Sequence, residues 1–125
     1  MVSEKNFTLF IVDDNIPVVI SMVNFFESKN FRVFSAYNEK EAKEVYSQTK
    51  PDVVIMGSRL HNVSVFELLK DLDWPKMIFI TSHPEVITLA KKTKGCIGVV
   101  NKPVNYFEIY DILRNSLGIP KPLFE

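Results

Sequence analysis

Cysteine is almost missing from this chain of 125 residues, where Cys96 stands alone. One thiol cannot close an intramolecular disulfide, and one cysteine with two histidines does not make a structural zinc site. A reducing, cytoplasmic setting is expected, with Cys96 as a small buried apolar residue, since no sequence feature depresses its pKa. Net charge is missing too: 15 Lys and Arg balance 15 Asp and Glu. Bulk electrostatics therefore draw the chain toward neither nucleic acid nor an anionic membrane. No apolar run approaches the length that spans a bilayer. The polar start, Met1 to Asn6 with Glu4 and Lys5, has no basic segment followed by an apolar core, so no secretory signal is expected. Repeats, low-complexity tracts and interior linkers are absent as well. What is present is apolar content of 46%, enough to fill the core of one domain and too much for a disordered chain.

Short apolar runs alternate with longer amphipathic stretches. Phe7 to Val12 is too short for a typical helix, ends in two acids and reads as a buried strand. Asn15 can cap a helix with Pro17 in its first turn and Val19, Met22, Val23 and Phe26 at helical spacing. Phe31 to Ser35 is a second strand. Asn38 opens a second helix with Glu41 in the capping-box position and a thin face of Ala42, Val45 and Tyr46. Pro51 stops it, and Asp52 to Met56 is a third strand. After Gly57 to Asn62, Ser64 to Leu72 reads as a third helix, Lys76 to Ile80 as a strand, and Pro84 to Lys92 as a helix. Ile97 to Val100 is the fifth strand, and Asn105 to Leu117 the fifth helix, with Phe107, Tyr110, Leu113 and Leu117 on one side. Five βα units with continuous apolar strands predict an α/β domain whose parallel sheet is covered on both faces and doubly wound. Residues 1–118 form that domain, and 119–125, with two prolines, form a tail or the start of a linker.

Ligands gather at the carboxyl ends of strands in such sheets. Those ends carry Asp13 and Asp14, then Gly57, Ser58 and Arg59, then Thr81 and Ser82, then Asn101, Lys102 and Pro103. Ile-Val-Asp-Asp, Pro-Asp-Val-Val-Ile-Met, Ile-Thr-Ser and Asn-Lys-Pro occur in that order, each at a strand end. In these marks the chain, from about Thr8 to Leu117, resembles the response-regulator receiver domains of two-component phosphorelays. The resemblance implies a flavodoxin-like sheet of order 2-1-3-4-5. It also implies Mg²⁺ on the acid pair Asp13 and Asp14, contacts to a phosphoryl group from Thr81 and Lys102, and a cis Lys102–Pro103 peptide.

The departures from that family decide the functional expectation. Gly57 stands where the family carries its phosphorylated aspartate, His61 where proline is frequent, Val65 where glycine is frequent, and Val99 where a switch aromatic sits. A glycine cannot form an acyl phosphate. The expected function is therefore non-enzymatic: a pseudo-receiver that binds a protein partner or a second copy without aspartyl phosphorylation. The resemblance puts the contact on the fourth helix, fifth strand and fifth helix, with Glu85 to Lys94, Val99 and Tyr106 to Arg114; Tyr106 and Tyr110, one turn apart, read equally as contact or packing residues. With Arg59 facing the acids beside Lys102, the pocket is charge-balanced; Arg59 or Lys102 is expected to pair with the acids in place of a metal, so no cofactor is expected and Mg²⁺ affinity at Asp13 and Asp14 is weak or lost.

A sensor for a small anion, using the space beside Thr81, Ser82 and Lys102, is the second reading. A conventional phosphorelay receiver with an exchanged acceptor is the third. Among the bland assignments, Asp13, Asp14 and Lys102 hold loops together, and Thr81 and Ser82 satisfy nearby backbone. Ser58 has no base placed to make it a substitute acceptor. His61 and His83 are exposed loop residues, Trp74 packs the loop before the fourth strand, and Lys91, Lys92 and Lys94 form a solvated helix end.

Overall fold

Side chains alternate across a strand, so a strand apolar at every position feeds two cores at once. The computed structural model describes residues 6–57, 59–60, 63–73 and 75–121, without the side chains of Arg59 and Val63. Its strands are β1 Thr8–Val12, β2 Arg32–Ala36, β3 Val53–Gly57, β4 Arg59–Leu60, β5 Val63–Ser64, β6 Lys76–Ile80 and β7 Cys96–Val100. Its helices are α1 Ile16–Ser28, α2 Glu39–Thr49, α3 Val65–Leu68, α4 Pro84–Lys91 and α5 Tyr106–Leu117, with a 3₁₀ turn at Leu69–Asp71. Five strands pair in the order β2-β1-β3-β6-β7, all parallel. This is the expected doubly wound 2-1-3-4-5 sheet.

Leu9, Ile11, Val53, Ile55, Ile78 and Ile80 point to one face, where α1 and α5 supply Val19, Met22, Phe26, Ile109, Tyr110 and Leu113. Phe10, Val12, Val54, Met56, Met77 and Phe79 point to the other, under Ala42, Val65, Leu68 and Ala90 of α2, α3 and α4. Both cores are closed by residues with almost no exposure.

Asparagine starts three helices. Asn15 accepts the Val18 N–H at 3.2 Å, Asn38 the Glu41 N–H at 2.9 Å, and Asn105 the Phe107 N–H at 2.9 Å. Each satisfies a donor that the first helical turn leaves without a partner. Glu41 reaches back to the Tyr37 N–H at 2.9 Å, one residue earlier than a standard capping box. Gly118, at φ 71°, closes α5 in the left-handed region that glycine tolerates.

Three expectations need correction. The third helix was expected from Ser64 to Leu72; the α-helix covers Val65–Leu68 and tightens into the 3₁₀ turn. Leu72 is already extended, at φ −111° and ψ 157°, and buried. In the stretch Gly57 to Asn62, expected to be irregular, β4 begins and pairs antiparallel with β5, Arg59 opposite Ser64 and Leu60 opposite Val63. On α5, Phe107 is 56% exposed and does not share the buried side of Tyr110 and Leu113. Among the described residues, no helix is long and apolar enough to cross a membrane.

Candidate functional site

Parallel pairing brings the ends of β1 and β3 side by side. Val12 pairs with Met56, so Asp13 and Gly57 follow one step beyond. The Asp13 N–H continues the ladder to the Ala36 carbonyl at 3.2 Å, and the residue is only 7% exposed. Its Oδ1 accepts the Asn15 N–H at 2.8 Å, which pins the turn into α1. Its Oδ2 lies against Gly57: a Cβ built on that glycine would stand 2.5 Å from Oδ2 and 3.3 Å from Cγ. Burial pushes the Asp13 carboxyl above its ordinary range, and the charge of Asp14 adds to this. The Asn15 N–H and the positive charge of Lys102 work the other way without cancelling it.

Thr81, at the end of β6, is 1% exposed. Its N–H donates to Val100 at 3.0 Å, and its Oγ1 accepts the His83 N–H at 3.2 Å. The hydroxyl thus serves the turn into α4, as the bland assignment expects. Ser82 and His83 are exposed. Lys102 is exposed, acts on Asp13 through its charge, and is preceded by Asn101 and followed by a cis peptide to Pro103. It is not among the ion-paired lysines of the described residues, which are Lys43 and Lys70. The expected pairing of Lys102 with Asp13 is therefore long-range attraction and not a contact. Ser58, His61, Asn62, Trp74 and the side chain of Arg59 lie outside the described residues, and with them the expected pairing of Arg59 with the acids.

Of the acid pair on which the family resemblance places Mg²⁺, Asp13 is poorly presented to the ion. Mg²⁺ demands near-ideal octahedral geometry and accessible carboxylate oxygens. Asp13 gives one oxygen to Asn15 and turns the other onto Gly57. Among the described residues, no three acid, histidine or cysteine side chains cluster as a metal site.

Burial separates the two readings of the tyrosines on the expected contact face. Tyr110 is 7% exposed and belongs to the core between α1 and α5. Its ring lies 6.2 Å from Phe31 and 6.5 Å from Phe25. Tyr106 is half-buried, 5.4 Å from the same Phe25. Val99 is half-buried against the opposite core. The tyrosines are thus packing residues, because Phe25, on the flank of α1, draws them in. The exposed apolar side chains here are Leu89 on α4 and Phe107 on α5, at 55% and 56%. Helical spacing did not single out Phe25 or Leu89; their only signal was a large apolar residue off the main stripe. Cys96 is half-buried, and burial pushes its thiol up, away from reactivity.

Comparison with known proteins agrees with this architecture. Sporulation initiation phosphotransferase F of Bacillus subtilis (strain 168) is 25% identical over 124 residues, covering 95% of this chain and 98% of that protein. A two-component response regulator from Clostridium difficile superposes with a TM-score of 0.82 at 19% identity, over 91% of this chain and 98% of that one. A response regulator receiver domain protein from Clostridium thermocellum gives 0.78 at 20% identity, over 90% and 94%. The family model of the response regulator receiver domain matches residues 9–114, a span running from β1 into the last turn of α5, and the chain therefore belongs to that family of two-component signalling domains.

Proposed function

We propose that this receiver domain signals without aspartyl phosphorylation, as a non-enzymatic module that binds a protein partner. The observation that carries the reading is the end of β3. Gly57 occupies the acceptor's place there and offers no carboxylate, while the Asp13 carboxyl lies within 2.5 Å of where its Cβ would be. The sporulation relative is named a phosphotransferase; forming an aspartyl phosphate at the end of β3 needs a nucleophile that Gly57 lacks. Val99, in place of an aromatic, removes a side chain that could swing between two positions. A conformation independent of phosphorylation follows, with output set by partner binding.

A small-anion sensor needs open space beside Thr81, Ser82 and Lys102. The side chain of Asp13 in that region and the engaged Thr81 hydroxyl favour the module over the sensor. The reading is tested by incubating the chain with acetyl phosphate and Mg²⁺ and recording the intact mass. No phosphoryl adduct is expected. A stoichiometric adduct, lost on treatment with hydroxylamine, would refute the proposal and restore the conventional receiver.

A further inference from the structure

We infer that Asp13 is an internal plug: its carboxyl group occupies the space that a Cβ at position 57 would take, so a side chain there must first displace it. Three observations converge. First, nothing in the backbone asks for glycine at 57. The glycines at positive φ are Gly95 and Gly118, and Gly57 is the last residue of a regular strand, paired there with Ile80 of β6. Second, a Cβ there would stand 2.5 Å from Asp13 Oδ2 and 3.3 Å from Cγ, and the first of these is closer than real Cβ contacts come. Third, Asp13 has little freedom to step aside. Its side chain is short, its Oδ1 is held by the Asn15 N–H at 2.8 Å, and its N–H is held in the ladder by Ala36.

An unneeded glycine weakens a strand, so Gly57→Ala should be stabilising in the absence of a plug. With the plug the sign reverses, because an overfilled core site forces its neighbours off their rotamers. The inference concerns the Asp13 side chain and the space beside Gly57, and it holds whatever the domain binds. It also implies that a ligand entering this edge must first turn Asp13 outward.

The test is a thermal-unfolding cycle at pH 7 on the full chain with Gly57→Ala, Asp13→Ala and the double variant. Gly57→Ala alone is expected to lower Tm by about 3–10 °C. In the Asp13→Ala background the same substitution is expected to leave Tm unchanged or raise it. In the isosteric Asp13→Asn background the loss is expected to persist, because volume and not charge causes it. If Gly57→Ala is too unstable to purify, recovery of a folded double variant supports the plug. A double variant that does not fold beside a folded Asp13→Ala overturns it. So does an unchanged or raised Tm for Gly57→Ala alone, or an equal loss in the wild-type and Asp13→Ala backgrounds.

Discussion

The two ends of α1 are held by different physics. Its carboxyl end sits in an aromatic seam. Phe25 contacts Phe26 at 5.0 Å, Phe107 at 5.1 Å and Tyr106 at 5.4 Å, and Lys29 lies over the rings of Phe25, Phe107 and Tyr110 at 5.4–5.7 Å. These contacts overlap, so the loss of one leaves others in place. The amino end is held by a few separate hydrogen bonds: Asp13 holds the Asn15 N–H with one oxygen and covers Gly57 with the other, and Asn15 accepts the Val18 N–H. Such contacts overlap less than the rings of the seam do, and small changes in volume should be felt there. The seam stabilises the domain; the sparse end sets what chemistry the domain can do.

Substitutions at the two ends should separate these roles. The largest effect is expected from Phe26→Ala, which empties a fully buried ring site in the seam. It should lose about 3–5 kcal/mol of unfolding free energy, measured by urea titration. At the other end, Asn15→Ala removes the acceptor for the Val18 N–H and should lose about 1 kcal/mol by the same method. Lys29→Met keeps the aliphatic reach but removes the cation over three rings. It should lose only about 0.5–1 kcal/mol, as expected for a partly exposed cation–π contact.

The smallest change should appear in a pH profile. Burial raises the carboxyl pKa of Asp13 in the folded state, so the folded chain holds this proton more tightly than the unfolded chain. The associated stability is fully present below the ordinary value of 3.8 and is lost as pH rises through the raised folded value. Asp13→Asn keeps the shape and removes the titration. Its Tm should exceed that of wild type at pH 7, with the difference shrinking as pH falls toward 4. A difference that grew on acidification would place the shift in the opposite direction.

Much of this fold was legible because each βα unit carries its own punctuation. Asn15, Asn38 and Asn105 marked helix starts, and Pro51 marked a stop. Uniformly apolar strands marked a sheet covered on both faces. The segment after β3 was not legible. Val65, Phe66, Leu68, Leu69 and Leu72 have helical spacing, yet burial of Leu69 and Leu72 in the core under α2 and α4 is met by a 3₁₀ turn and an extended residue. Tyr106 and Tyr110 read equally as contact or packing residues, because tyrosine suits contact surfaces as well, and the position of Phe25 against both rings favours packing. At the site, the strand ends placed Asp13, Gly57, Thr81 and Lys102 along one edge. The sequence showed the missing side chain at 57 but not what fills its place, since that depends on the hydrogen bond that orients Asp13.

The central claim, a receiver fold whose conformation does not answer to phosphorylation, is tested most directly by a two-dimensional amide spectrum of the chain. Spectra are compared with Mg²⁺ alone and with Mg²⁺ plus acetyl phosphate. The expected result is the same spectrum in both, with no shifts spreading from Asp13 and Thr81 into α4 and β7. Broad shifts through α4, β7 and α5 that appear only with acetyl phosphate would contradict it.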